Sequence, residues 1–525
     1  MTQIVDREFG PIRSILWPIH KHELKKMMPM LFMLFLICFN YTVLRNMKDA
    51  VVITAAGAEI LPFIKVWALL PMAVVITLVF TKLSNVFSQE RVFYIMISVF
   101  LGFYALFAYV LYPARDIFEL NTSADYLQSV LPAGFKGMIA MYRHWLLTAF
   151  YVVSELWSTA IMSVLFWGFA NEVTRIHEAR RFYGTFGIAS NFAAIAAGQS
   201  GIYFSQQIEG ADIALMSSTW EHSVMMLTTV VIVSGLITMG LFRWINLNVL
   251  TDPSFDDLHL TKREIKKKGR LSLRESFSYL SNSKYLLCIA TLVVAYNLVI
   301  NLVEVVWKDQ LRHLYPSPGD YNTYINNLTS IQGVVATISA LFMAKIIGRF
   351  GWTRTALITP ITMLITSFGF FCFMFFQNNL SDSVVALTGT TPLAIAVFFG
   401  SAQNCLSKAA KYSFFDTTKE MAFIPLDHES KLKGKAAIDG VGSRLGKSGG
   451  SLIHQGLLMF LGSLSTCAPF VAAILFAVIA FWFVACRSLG RQFNQIIENA
   501  EQQPSPASPT QVELVKKQKP VAVTG

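Results

Sequence analysis

Long apolar runs are the feature that most constrains what this chain can fold into. Runs of roughly 18–22 apolar residues recur along the whole sequence, which is the length that an α-helix needs to cross a bilayer. Only 14% of the residues are charged, against about 25% in soluble domains. We predict an all-α polytopic membrane protein with about twelve spanning helices, at 27–44, 60–80, 92–112, 144–168, 182–205, 222–242, 285–305, 328–347, 355–376, 384–405, 437–463 and 468–485.

Basic residues alternate between the two sides of this predicted membrane. The net charge is +11, and most of the 43 Lys and Arg residues fall in segments on the side of the N-terminus. The basic loops are 244–284 and 406–436, whereas loops 206–221, 377–383 and 464–467 contain no Lys or Arg. Because cytoplasmic loops hold an excess of Lys and Arg, both termini are predicted to be cytoplasmic. The same rule accounts for the basic pI without a nucleic-acid partner.

The long basic loop follows the sixth predicted helix and divides the chain into two sets of six. We predict an N-terminal six-helix bundle over 1–243 with a cytoplasmic N-terminus 1–26, a basic linker 244–284, a C-terminal bundle 285–491 and a disordered cytoplasmic tail 492–525. Parallel six-helix repeats are the plan of the major facilitator superfamily, whose substrate site lies between the halves near the membrane midplane. The sequence thus predicts a major-facilitator-like fold.

A few charged residues fall inside the predicted spans, where each costs roughly 2.5–3.5 kcal/mol on insertion scales. They are Lys65, Glu155, Glu304, Asp439, Arg444 and Lys447. Such residues face a partner, water or a ligand. Two interpretations remain open: structural ion pairs of Lys65 with Glu155 and of Lys447 with Glu304, or a polar cavity whose cations bind an anionic substrate such as a polyphosphate.

A second charged cluster, Arg45, Lys48 and Asp49, follows the first predicted span. It is interpreted either as a solvated loop or as part of the outer mouth of a transport path. The small residues around Lys447 would let backbone N–H groups approach phosphate. They form no P-loop, because Val441 stands where that motif needs glycine. ATP-driven pumping is therefore not expected.

Catalytic and metal sites are not expected either. The six cysteines show no CxxC spacing, so no metal or other cofactor is predicted. Ser448 and His454 lie close in sequence without an acid that would complete a triad. A membrane enzyme, a channel and a sugar or amino-acid facilitator remain as weaker alternatives.

Several motifs in order resemble the ATP/ADP translocases of plastids and obligate intracellular bacteria, the nucleotide transporter family. The resemblance extends from Trp17 to Phe493. The motifs are NYTVLRNMKD (40–49), ELW (155–157), LFWGFAN (165–171), NLVEVVWK (301–308), KYSFFD (411–416), KEMAFIPLD (419–427), KGKAA (433–437) and LGKSGG (445–450). The resemblance implies nucleotide transport, and the charged residues that matter in this family correspond to Lys65, Glu155, Glu304 and Lys447 here.

The resemblance favours an antiporter that imports host ATP in exchange for ADP, with or without phosphate, by alternating access. A broader nucleoside triphosphate importer or exchanger, coupled to protons or not, is the alternative, because this sequence has Asn46 after Arg45 where many exchangers carry an acidic residue. The N-terminal segment resembles neither a signal peptide nor a transit peptide, which favours the bacterial inner membrane. We expect the protein to work as a monomer.

Overall fold

The computed structural model describes residues 17, 19–174, 176–206, 216–251, 283–426, 434–435, 438 and 442–502. Most of the predicted linker and of the predicted tail lies outside these residues.

Twelve long helices account for most of the described residues. They are α1 (Leu24–Ala56), α2 (Ile60–Val86), α3 (Gln89–Leu111), α4 (Trp145–Val173), α5 (Ile176–Gln206), α6 (Met216–Asn248), α7 (Lys284–Leu314), α8 (Pro318–Phe342), α9 (Arg349–Phe375), α10 (Pro392–Ala410), α11 (Ser443–Leu461) and α12 (Leu464–Gln502). Nine of them are long and apolar enough to cross a membrane by composition alone. The other three, α5, α10 and α11, carry more polar and small residues.

Shorter helices connect or extend the spans. Between α3 and α4 they are Arg115–Phe118, Asn121–Val130 and Lys136–Arg143, and Gln377–Thr388 lies between α9 and α10. The π-helical turn Lys411–Phe415 and the helix Asp416–Phe423 prolong α10. Helices α8 and α9 follow each other closely and are separated by a kink at Gly351, whose φ of +74° is a conformation that glycine adopts at low cost.

The first helix is longer than predicted. The sequence analysis ended it at residue 44, whereas α1 continues to Ala56. Arg45, Lys48 and Asp49 therefore lie inside a membrane helix, and of the two interpretations given for them, the solvated loop was wrong. No glycine or proline interrupts the segment from Arg45 to Ala56, and partners from other helices neutralise Lys48 and Asp49, so the helix has no physical reason to stop there.

Helices α1–α6 form a first bundle and α7–α12 a second one, and contacts between the two bundles run through α1 with α7 and α8, α5 with α8, and α2 with α11. These contacts are well formed where α1 ends and α2 begins, on what we call the far side. There Asn46 donates to Asn326 at 2.8 Å, Gln199 to Ser330 at 3.0 Å, and Gln455 to the carbonyl of Pro62 at 2.7 Å.

Glycines along α5 show that the bundles separate toward the opposite face, which we call the terminal side because α1 begins and α12 ends there. At Gly198 and Gly201, near the far side, an added Cβ would collide with α8. At Gly184 and Gly187, about four turns earlier on a similar face of the helix, no described atom lies within 4 Å of such a Cβ. The terminal half of α2, Leu70–Val86, likewise buries no side chain. Among the described residues, the two bundles are thus in contact on the far side and separated toward the terminal side.

Candidate functional site

A chain of ion pairs crosses the middle of the molecule, and its centre is buried. Lys308 of α7 donates to Asp49 of α1 at 2.8 Å, which joins the two bundles. Asp49 also accepts from its neighbour Lys48 at 3.1 Å. The side chains of Lys48, Asp49 and Lys308 are 2%, 8% and 4% exposed. The Lys48 ammonium lies 3.5 Å from the centre of the Tyr151 ring, a cation–π contact that contributes where water is excluded.

One end of this chain lies on α4. Glu155 accepts from Lys48 at 3.3 Å and from the hydroxyl of Tyr41 at 3.4 Å. Its side chain keeps 29% of its surface exposed. The buried Lys48 is therefore paired with a carboxylate that is partly exposed, that of Glu155.

The other end of the chain lies between α7 and α2. Glu304 accepts from Lys308, one turn later on the same helix, at 3.0 Å and from Lys65 of α2 at 3.3 Å. Lys65 also donates to Asn301 at 3.1 Å. Because Lys65 belongs to the first bundle and Glu304 to the second, this contact joins the bundles a second time, again at partly exposed side chains.

The six groups alternate in sign, so the chain is neutral overall, which is the condition for placing charges in a low-dielectric interior. The predicted pairings are corrected: Lys65 pairs with Glu304 rather than Glu155, and Lys447 has no ion pair with Glu304. The reason is the length of α1. Because this helix continues past residue 44, Lys48 reaches Glu155 and pairs with it, and Lys65 pairs instead with Glu304 of α7.

Three cations near this chain have no ion pair with any described residue: Arg45 of α1, Lys408 of α10 and Lys447 of α11. Arg45 lies 5.9 Å from the ring of Tyr41 and is close enough to act electrostatically on Lys408 of the other bundle. Lys447 is exposed to solvent, yet charges from both bundles, including Glu155 and Glu304, act on it. Lys447 is therefore a candidate to face the space between the two bundles.

The remaining predicted residues lie at the edge of this arrangement. Arg444 is exposed at the start of α11, one turn from Lys447 toward the terminal side. Asp439 lies outside the described residues. Gly446 and Gly450 are packed against Asn297 and Asn301 of α7, so these glycines allow two helices to approach closely. Their backbone groups lie within a helix, and the prediction that these two glycines bring N–H groups to phosphate was wrong.

Lys308 and Lys408 were missed as candidates because the predicted spans ended at 305 and 405. A usable signal was present for Lys308. The dipeptide Lys48–Asp49 recurs as Lys308–Asp309 at the equivalent place near the end of α7. For Lys408 the signal was weaker: no glycine or proline follows it until Pro425, so α10 had no reason to end at 405.

Segments of π-helix adjoin the charged side chains. They span Ile64–Leu69 in α2, which contains Lys65, and Ser158–Phe166 in α4, which begins one turn after Glu155. A third, Lys411–Phe415, begins one turn after Lys408. Each π turn leaves the regular hydrogen-bond ladder and rotates the helix face, a feature common at functional sites.

The architecture defines the class of protein. Two six-helix bundles with a cation-rich space between them, closed on one side and open on the other, form a polytopic membrane protein of the major-facilitator type. The solved D-xylose–proton symporter has the same overall fold, with a TM-score of 0.51 at 11% sequence identity, covering 89% of this chain and 97% of that one. The predicted fold class is confirmed.

The chain belongs to the TLC ATP/ADP transporter family, whose sequence model matches residues 2–493. It is 46% identical over 497 residues to ADP,ATP carrier protein 1 of Chlamydia pneumoniae, covering 94% of this chain and 96% of that protein. It is 47% identical over 496 residues to ADP,ATP carrier protein 1 of Chlamydia trachomatis serovar D, covering 94% and 93%. The family predicted from the motifs is confirmed.

Proposed function

We propose that this chain exchanges ATP for ADP across the bacterial inner membrane by alternating access of its two bundles. The observation that carries the proposal is the excess of positive charge between the bundles. Arg45, Lys408 and Lys447 come from both bundles and have no carboxylate partner in the described structure, beside a chain of ion pairs that is already neutral. A polyphosphate supplies the negative charge that these three cations lack.

Phosphate oxygens would be held by Lys65, Lys408 and Lys447, with Arg45 and Arg444 adding guanidinium contacts. Arginine binds phosphate as a planar fork and lysine as a compact point charge. Lys48 would not contact phosphate directly and would act through its ion pairs, because it is buried against Glu155 and Asp49. This assignment agrees with the exposed fractions of the side chains: the buried Lys48 would lie at the floor of the cavity, and the more exposed Lys65 and Lys447 would lie in its walls.

Exchange requires that the loaded carrier reorient more readily than the empty one. In the structure Glu304 neutralises Lys65 across the bundle interface. A phosphate that takes Lys65 from Glu304 would remove this contact between the bundles, while the Asp49–Lys308 pair remains. A ligand shifts such an equilibrium only through its different affinity for the two states, and the Lys65–Glu304 contact supplies that difference.

The direction of transport follows from the proposed orientation. Lys and Arg are concentrated on the terminal side, so we place both termini in the cytoplasm. The open cavity then faces the cytoplasm and is in the state that receives ADP. The chain would import ATP from a host against ADP, with phosphate as a co-transported anion, and would work as a monomer because the cavity lies between its own bundles.

Counter-exchange tests this proposal. Proteoliposomes containing the full chain are loaded with radiolabelled ATP, and ADP, ATP, GTP, CTP, UTP or buffer is added outside. We expect ADP and ATP alone to release the label, as intact nucleotide by chromatography. Release by all triphosphates would replace the proposal with a general nucleotide exchanger, and release of hydrolysis products would show an enzyme.

A matched pair of variants connects transport to the cavity. Lys447→Gln removes a cation of the cavity wall, and Arg354→Gln removes an exposed cation of α9. We expect exchange to fall about tenfold or more in the first, the value of one charge-assisted hydrogen bond, and to stay unchanged in the second. Equal exchange in both variants would contradict the site.

A further inference from the structure

A second cationic site lies outside the cavity between the bundles. It is a pocket of about 560 Å³ between the beginning of α7 and the last part of α12, on the terminal side. Its basic lining residues are Lys284, Arg487 and Arg491, and its polar ones are Ser488, Gln492 and Gln495. The two helices belong to the same bundle, so this pocket is separate from the transport path.

The three cations of this pocket have no ion pair with any residue in the described part of the chain. Lys284, Arg487 and Arg491 are all exposed. Arg487 and Arg491 are four residues apart and therefore lie above one another on one face of α12. Like charges at this spacing destabilise a helix slightly. Two arginines on α12 and a lysine on α7 thus converge on one space that contains no acid among its lining residues.

An exposed apolar strip continues the same helix face toward the membrane interior. Val484, which also lines the pocket, is 66% exposed, and Phe481, one turn earlier, is 70% exposed. On α7, Leu287 is 49% exposed one turn after Lys284. Both helices therefore change from apolar to cationic at the same level, which is the level of lipid headgroups. Acyl chains of the bilayer cover the apolar strip, so a phospholipid can contact the strip and the cations at the same time.

We propose that this pocket binds the headgroup of an anionic phospholipid from the leaflet on the terminal side. The phosphodiester would accept from Arg487, Arg491 and Lys284, and the acyl chains would lie along Val484, Phe481 and Leu287. Basic pockets between membrane helices bind anionic lipid headgroups in this way. The site is independent of the transported nucleotide.

Thermal unfolding of the purified full chain in detergent tests the site. Phosphatidylglycerol, phosphatidylcholine or inorganic phosphate is added to the wild-type chain, to Arg487→Gln/Arg491→Gln and to Arg91→Gln/Arg243→Gln. The last variant removes two exposed arginines at the same side of the first bundle. In the wild type and in the control Arg91→Gln/Arg243→Gln, we expect phosphatidylglycerol to raise the Tm by about 2 °C more than phosphatidylcholine does. In the pocket variant Arg487→Gln/Arg491→Gln, most of this difference between the two lipids should disappear.

Two results would overturn the proposal. An undiminished phosphatidylglycerol effect in the pocket variant would show general attraction of a basic protein to anionic lipid, and an equal effect of inorganic phosphate would show a soluble-anion site. If the double variant does not fold, Lys284→Gln, at the exposed beginning of α7, replaces it. Native mass spectrometry should then count fewer retained phosphatidylglycerol molecules in Lys284→Gln than in the wild type, and an unchanged count would also reject the site.

Discussion

The two bundles use the same dipeptide in different ways. Lys48–Asp49 of α1 and Lys308–Asp309 of α7 occupy equivalent places near the far ends of their helices. Asp49 pairs with both Lys48 and Lys308. Asp309 is just as buried but has no lysine partner among the described residues; its carboxylate accepts from Gln310 at 3.4 Å and lies 3.8 Å from His313. The repeat is therefore symmetric in sequence and asymmetric in pairing.

The fourth helix of each bundle explains the asymmetry. In its spanning part α4 carries an acid, Glu155, which engages Lys48, whereas α10 carries a base, Lys408, as its only charge. The first bundle thus neutralises its own lysine. The second bundle leaves a base, Lys408, without an ion pair and an acid, Asp309, without a lysine partner among the described residues. The comparison teaches that unpaired positive charge can arise in a repeated fold when one repeat has an acid where the other has a base.

The largest expected difference lies between the two aspartates. Asp49→Asn leaves Lys308 and Lys48 without their shared partner in the interior, and removing one member of a buried pair costs about 3–5 kcal/mol. Asp309→Asn removes a buried carboxylate without a lysine partner and should change stability by less than about 1 kcal/mol. Thermal unfolding in detergent measures both. Similar losses of Tm in the two variants would show that the dipeptides are equivalent after all.

The second-largest expected effect comes from replacing Lys408, the base of α10. Lys408→Met should raise the KM for ATP about tenfold or more, since a hydrogen bond to a charged group contributes about 1.5–3 kcal/mol. Lys408→Arg keeps the charge and should recover most of the affinity. The measurement is the concentration dependence of exchange in proteoliposomes. An unchanged KM in Lys408→Met would show that Lys408 does not contribute to substrate binding.

The two accessible glutamates should separate binding from reorientation. Glu304 engages two lysines, one of them across the bundle interface, whereas Glu155 engages Lys48 alone. Glu304→Gln should let the empty carrier reorient and so raise efflux into nucleotide-free buffer about tenfold without raising the KM, because it removes a contact made by the empty carrier. Glu155→Gln should have a smaller effect. Efflux that depends on external nucleotide as strictly in both variants as in the wild type would reject the proposed coupling of substrate to reorientation.

The smallest expected effect concerns closure of the far side. Gly198→Ala places a methyl group against the carbonyl of Asn326 on α8. It should destabilise the state in which the far side is closed by about 1 kcal/mol. In the control Gly187→Ala, the methyl group meets no described atom. In a Thr54→Cys background, a membrane-impermeant maleimide added on the far side should label the Gly198→Ala variant faster. Equal labelling rates in both variants would place the closing contact elsewhere.

Much of the fold could be predicted from sequence, because the cost of exposing polar backbone to lipid acts on each segment separately. Apolar run lengths therefore located twelve helices, and the insertion cost of charge selected Lys65, Glu155, Glu304 and Lys447 without knowledge of their neighbours. The errors had a common cause. Spans were ended where charges began, at residues 44, 305 and 405, although α1, α7 and α10 continue past these points.

What the sequence by itself determined is which charges have to be neutralised or wetted within a helical membrane protein of two similar halves. Only the tertiary structure decided their partners. Lys65 meets Glu304, and Lys308 meets Asp49, across gaps of more than two hundred residues. Pairing depends on which helices adjoin and how each is rotated, π turns included. These are properties of the packed bundle that are absent from any single span.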